Sequence, residues 1–298
     1  MNNPPKPEQP LHTQSSLHGI LWMSLAAIFF SITFGLVRHI SESIHAYEQT
    51  LFRHIVGILI LAPFIIHGGL QSLKTHQLRL NIFRNFIGNG GVTLSFLSIT
   101  MIPLTDALTL HFTLPIFAIL FALFILKEQV GFHRWIAVFF GFMGVLVVLR
   151  PGFQDVNLGM LAALAATACY GLSDVLLRKL SQTDMTLSIV FFSFVFQLPF
   201  SLPLAIQYWV MPTEVELLWL AAMGAASLGA QWSLSKAYIL ADASVVSPVL
   251  FIRLPMVSII GLVFFDQITD IWTWIGAAII FGSTYYAARR ETSSIHIN

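Results

Sequence analysis

A chain of 298 residues that is 56% hydrophobic and only 10% charged has too few ionic groups to cover a water-facing surface, where about a quarter Asp, Glu, Lys and Arg is usual. With 26 Phe, 7 Trp, a formal net charge of +1 and a mean hydropathy of +0.80, soluble enzymes, disordered chains and nucleic-acid binders built on a basic patch are excluded. The single cysteine, Cys169, excludes a disulfide framework and a cysteine-based zinc site, and no metal site is expected.

Residues 1–16 are polar and carry Pro4, Pro5, Pro7 and Pro10. They read as a disordered cytoplasmic tail without the basic start of a secretory signal, so the first apolar run is expected to insert uncleaved. Crossing ~30 Å of hydrocarbon at ~1.5 Å per residue takes about 20 apolar residues. Ten stretches qualify: roughly 17–37, 46–66, 83–101, 103–126, 132–149, 157–178, 185–207, 215–235, 243–264 and 272–288. The expected fold class is therefore an all-α integral membrane protein with ten transmembrane helices. Short connections leave no soluble domain, and the uniform apolarity of the runs is not that of a membrane β-barrel.

Orientation follows from Lys and Arg. Eleven of the 15 fall on the side of the N-terminus, Arg84 among them; Arg38 and Arg150 fall on the other, and Arg53 and Arg253 lie within spans. Both termini are expected in the cytoplasm.

The two halves echo each other. Leu104 to Ala107 (LTDA) precedes a proline-interrupted span, Lys127-Glu128 and Trp135. Leu240 to Ala243 (LADA) precedes another proline-interrupted span, Asp266-Gln267 and Trp274-Ile275-Gly276. Five spans per half is odd, so the second copy enters the bilayer inverted, as in many secondary transporters whose substrate site lies near the midplane.

Pro103 to Gly152, PLTDALTLHFTLPIFAILFALFILKEQVGFHRWIAVFFGFMGVLVVLRPG, resembles the first repeat of the EamA-like family of the drug/metabolite transporter superfamily. Ser247 to Gln267, SPVLFIRLPMVSIIGLVFFDQ, resembles the matching part of the second. Lys127 stands where the family usually has Gly, and Asp266 where it has Glu. The resemblance implies repeats over 17–149 and 157–289 around a central cavity lined by spans one, three, four, six, eight and nine. It also implies alternating access, a bacterial-type inner membrane, no cofactor, and cargo among amino acids, nucleotide-like metabolites, vitamins and amphiphilic drugs. The expected partners are a small-molecule metabolite and the lipid bilayer, with protons as a candidate coupling ion and no nucleic acid; the chain is read as a monomer or homodimer.

Polar groups inside the spans are the candidate site, since a charge at mid-bilayer normally faces a cavity or a partner. Arg253 lies near mid-depth between Pro248 and Pro255, which free the carbonyls of Ser244 and Phe251. It either contacts an anionic group of the cargo or locks two helices through those carbonyls. Pro115 frees the carbonyl of His111, which is either a substrate or proton site or a bonded packing residue. Tyr170, Asp174 and Arg178 share a helix face, so Asp174 is either a proton carrier or neutralised by Arg178. Asn89, one turn from Asn85, and Gln197, beside Pro199, reach either the cavity or neighbouring helices. Gln231 and Trp232 lie off a small-residue ridge, Ala225, Gly229 and Ser233, and either reach the cavity or, for Trp232, anchor at the interface. For Arg53 the family resemblance implies a structural or gating role, and Asp106 reads as a helix N-cap.

No GxxxxGK[ST], HExxH, GxSxG or acid-rich prenyl-diphosphate motif occurs, so neither ATP hydrolysis nor catalysis is expected. An integral-membrane enzyme acting on lipids and a non-transporting membrane subunit are the competing classes.

Overall fold

The computed structural model describes residues 12–68, 73–125, 132–150, 156–180, 183–241 and 246–295. The early N-terminal tail, Lys127-Glu128, Ser244 and the side chain of Arg178 lie outside what it describes.

The described residues are helical, without a strand. They form α1 (His12–Ile40), α2 (Ala46–Gly68), α3 (Leu78–Met101), α4 (Leu104–His111), α5 (Leu114–Ile125), α6 (Phe132–Leu149), α7 (Leu158–Leu180), α8 (Thr186–Val195), α9 (Leu198–Gln207) and α10 (Glu214–Leu240). A 3-10 turn, Ser247–Ile252, leads into α11 (Arg253–Phe265), and α12 (Ile271–Ile295) follows. Seven stretches are long and apolar enough to cross a bilayer: Leu17–Ile40, Ala46–Ile66, Leu104–Phe121, Leu158–Leu177, Thr186–Gln207, Glu214–Leu240 and Pro248–Phe265. Val138–Leu149 and Ile271–Ser283 are shorter apolar helices. α3 is long, but Asn81, Arg84, Asn85 and Asn89 lower its hydropathy.

Three of the expected spans are interrupted, two of them the proline-interrupted spans of the sequence and the third the stretch over 185–207. α4 gives way to α5 at Phe112–Thr113, just before Pro115, where the Phe112 N–H is shared between the carbonyls of Leu108 and Thr109, each at 3.2 Å. α8 gives way to α9 at Phe196–Gln197, with Pro199 in the first turn of α9. The 3-10 turn opens with Pro248 in its first positions, and Pro255 lies in the first turn of α11. A proline has no N–H to continue the ladder, so each interruption releases backbone groups inside the bundle.

Helix ends elsewhere follow local chemistry. At α10, the Thr213 hydroxyl accepts from the Glu216 N–H at 3.4 Å, while the Glu216 carboxylate accepts from the Thr213 N–H at 2.7 Å. This is a reciprocal capping box. Arg38 Nη1 donates to the carbonyls of Ile99 and Thr100 at the C-terminal end of α3, both at 2.9 Å, a favourable place for a cation on the helix dipole. Asp106 is not the N-cap of α4. That position is Pro103, without a side-chain bond, and Asp106 accepts from Thr273 Oγ1 of α12 at 2.6 Å.

The tightest helix pairs are α1 with α10, α3 with α7, and α6 with α12. α5 packs on α7, and the 3-10 turn and α11 pack on α1. The expected small-residue ridge on α10 is partial. Gly229 meets the ring of Phe29 on α1, whereas Ala225 is exposed. The α6–α12 crossing is closest at Gly144 and Gly276. A Cβ at Gly276 would stand 2.9 Å from the Gly144 carbonyl oxygen and 2.4 Å from Val148 Cγ2. Backbone cannot yield as a side chain does, so Gly276→Val should wedge the pair apart and destabilise by about 1–3 kcal/mol. The expected result is a lower melting temperature in detergent; an unchanged one would contradict this crossing.

Candidate substrate cavity

Where the interruptions meet, the bundle holds a cavity of about 130 Å3, room for several waters by the measure of roughly 10–15 Å3 each. Its walls come from α1, α2, α3, α4, α7, α8, α10, α11 and the turn at Gln197. Arg253, His111, Tyr170, Asp174, Gln197 and Gln231 all line it. Arg53, Arg84, Ser173, Ser193 and Ser227 line it as well, together with Phe30, Phe34 and Phe96.

Arg253 begins α11, and its guanidinium carbon lies 4.7 Å from the ring centres of both Phe30 and Phe34. This double cation–π contact partly replaces lost water. Its Nε is buried without a hydrogen-bond partner. His111 ends α4, packs edge-on against Phe34 at 5.7 Å and Tyr170 at 6.1 Å, and leaves Nε2 unpartnered. Phe112, one residue on, stacks on Phe251 at 4.0 Å, so the α4–α5 break and the 3-10 turn touch through their aromatic rings. The step from Phe112 to Phe251 equals that from Trp135 to Trp274 in the sequence echo.

A second network crosses the cavity floor. Arg53 Nη1 donates to His54 Nδ1 at 3.3 Å and to Gln197 Oε1 at 3.5 Å, and its guanidinium lies 5.0 Å from the centre of the Phe194 ring. Arginine is donor only, so His54 carries its proton on Nε2 and donates to Asn89 Oδ1 at 3.2 Å. Gln197 Nε2 donates to Asn85 Oδ1 at 3.2 Å, and Asn85 in turn donates to the carbonyl of Asn81 at 2.9 Å. Asn89 thus stands behind His54 rather than on the cavity wall. Trp232 is not on the wall either; it packs beside Leu61, Val190, Phe194 and Leu228.

Arg84 departs from the sequence reading. α3 starts at Leu78 rather than near residue 83, which carries Arg84 into the bundle, where it is 3% exposed and lines the cavity. Its Nη1 donates to Ser193 Oγ at 3.1 Å. Among the described residues, no cluster of three or more His, Cys, Asp or Glu is placed to hold a metal.

Beyond the cavity, each end of the bundle is tied across the chain. At one end the Leu104 N–H donates to Gln267 Oε1 at 3.0 Å, and Thr105 bonds Thr269 at 3.0 Å. There too Arg150 pairs with Asp270 at 2.5 Å. Also at that end, Glu48 accepts from the Val210 N–H at 3.1 Å and His45 stacks on Tyr208 at 4.2 Å; packing around the His45 ring lowers its pKa by disfavouring the charged form. At the opposite end Asp184 accepts from the Thr75 hydroxyl at 2.5 Å and the His76 N–H at 3.1 Å.

The model of the EamA-like transporter family matches residues 17–150 and again 157–289. The S-adenosylmethionine uptake transporter of Rickettsia prowazekii is 29% identical over 94% of this chain and 96% of its own length. The riboflavin transporter of Vibrio cholerae is 31% identical over 93% of this chain and 94% of its own. A solved structure described only as "Crystal structure of protein" superposes with a TM-score of 0.66 over 94% of this chain and 98% of its own; at 17% identity it shows the fold alone. The chain is therefore a multi-pass membrane transporter rather than an enzyme, and it belongs to the EamA-like family within the drug/metabolite transporter superfamily.

Proposed function

We propose that this protein is a secondary transporter that carries a small organic metabolite across a bacterial inner membrane by alternating access. The observation that carries the reading is the cavity at the helix breaks, with charged and polar side chains on its wall, lined from both family-matched segments. Relatives named for S-adenosylmethionine and riboflavin transport point to metabolites of that size, with planar ring systems. Arg253, His111, Tyr170, Asp174, Gln197 and Gln231 contact the cargo. Asn89 acts one step back, through His54, and Trp232 supports the wall. Asp174 is the carboxylate through which a proton can be coupled to transport.

The architecture in this reading is ten spans in two inverted five-span units. α4 with α5, α8 with α9, and the 3-10 turn with α11 each count as one broken span. Packing supports the pairing. Exchanging every span for its counterpart five places on turns the α1–α10 pair into α7–α3 and leaves α6–α12 unchanged. Both termini face the cytoplasm. Moving Arg84 into the bundle leaves ten cytoplasmic Lys and Arg against two, so the charge asymmetry survives.

With that orientation, the ties at Leu104–Gln267, Thr105–Thr269 and Arg150–Asp270 close the outer face. Alternating access requires them to part. In a Cys169→Ser background, a disulfide between Thr105→Cys and Thr269→Cys should stop counterflow in proteoliposomes, and reduction should restore it. Undiminished exchange with the bridge formed would end the alternating-access reading.

Arg253→Ala should cut exchange more than tenfold while the protein still purifies as a folded species, because it removes the cation held over two phenyl rings. Full exchange by Arg253→Ala would remove this residue from the binding site.

A further inference from the structure

The cavity wall carries more cation than the cargo reading has used. Three guanidinium groups, those of Arg53, Arg84 and Arg253, face it with one carboxylate, Asp174. Arg53 is satisfied within the protein by Gln197, His54 and the Phe194 ring. Arg84 is not. It is only 3% exposed, yet of its five possible donors Nη1 alone has a protein acceptor, the Ser193 hydroxyl at 3.1 Å, and the buried Nε has none. Ser193 cannot neutralise it, being uncharged and already donating its own proton to the Ile189 carbonyl at 2.7 Å. Asp174 acts on Arg84 electrostatically from the same cavity, but a single carboxylate does not balance Arg84 and Arg253 together. A buried guanidinium with an empty Nε, on a cavity wall, is half of a forked carboxylate or phosphate contact.

We propose that Arg84, held by Ser193, is a second anchor that binds an oxyanion of the cargo, a carboxylate or a phosphate ester, apart from the contact at Arg253. The proposal rests on the transport reading above and narrows it to cargo bearing at least one such group. Gly88, one helical turn from Arg84, helps to keep the position open. A Cβ there would come within 3.1 Å of Gln197 Nε2 and 3.4 Å of Ser173 Oγ, pressing on two other residues of the same wall.

The test uses the purified full-length protein and two matched pairs of probes. S-adenosylmethionine is compared with its decarboxylated form, and riboflavin 5′-phosphate with riboflavin; affinities are read from ligand-dependent thermal shifts. The member of at least one pair that bears the carboxylate or phosphate should bind about tenfold or more tightly than its partner, the scale of one charge-assisted contact. The pair that shows the preference tells carboxylate from phosphate. Arg84→Gln should bring that ratio close to one, and Arg84→Lys, which keeps the charge but loses the fork, should lower it severalfold. Equal or absent binding of both members in both pairs, or an unchanged ratio in Arg84→Gln, overturns the anchor. If Arg84→Gln does not fold, Arg84→Lys decides, an unchanged ratio there overturning it. Counterflow of the wild-type protein with the same compounds and an amino-acid mixture is run alongside. Its complete absence would sink the transport reading while leaving the binding result standing.

Discussion

Hydrocarbon offers no hydrogen bonds, so every polar group drawn into a span must find its partner inside the protein. That constraint explains why the cavity lies where it does. Backbone freed at Phe112–Thr113, at Phe196–Gln197 and along Ser247–Ile252 would be intolerable against lipid. It is tolerable where the breaks face one another, and the Phe112–Phe251 stack brings two of them together. The side-chain amides follow the same rule. Asn81, Asn85, Gln197 and Arg53 form one continuous chain of donors and acceptors from α3 across to α2.

Charge is handled by two different means. Arg53 is placed by hydrogen bonds and one aromatic face, and so reads as part of the wall's framework. Arg253 is placed by two aromatic faces, and a ring quadrupole steadies a cation without using up its N–H groups. An arginine held in that way keeps its donors for a ligand. The difference between the two residues is thus one of remaining capacity: both are cations beside a phenyl ring, but only one retains a buried, unpartnered Nε.

Much of this was legible in the sequence. Apolar run length located the helices, and Pro115, Pro248 and Pro255 marked two of the three interruptions. Gln197, singled out for its depth beside Pro199, turned out to flank the third. Arg84 was misread because a charged residue two positions into an expected span is indistinguishable from a loop cation. Only the earlier helix start at Leu78 draws it inward, and run length cannot see a helix that begins with polar residues. Asp106 was misassigned because an acid at a helix start looks like a local cap; its partner, Thr273, is remote in sequence. Trp232 could not be sorted, since the composition of α10 is apolar nearly all round and its facing is decided by Phe29 on one side and Phe194 on the other.

The helix packing and the cavity obey different symmetries. The two tightest helix pairs interchange when the two matched segments are exchanged, α1–α10 for α7–α3, as an assembly with two equivalent end states would require. The lining does not interchange. Arg53 and Arg84 come from the first segment, and Arg253 and Asp174 from the second. In the alternating-access reading proposed above, interchangeable helix pairs are what two end states of similar free energy require. In that reading the asymmetric lining is where the cargo is selected. Selection by charge inside the bundle is steep, because a buried cation left without its counter-ion loses far more than it would in water. Substitutions in the paired helices should therefore change the rate at which the carrier cycles, whereas substitutions of Arg84 and Arg253 change what it carries.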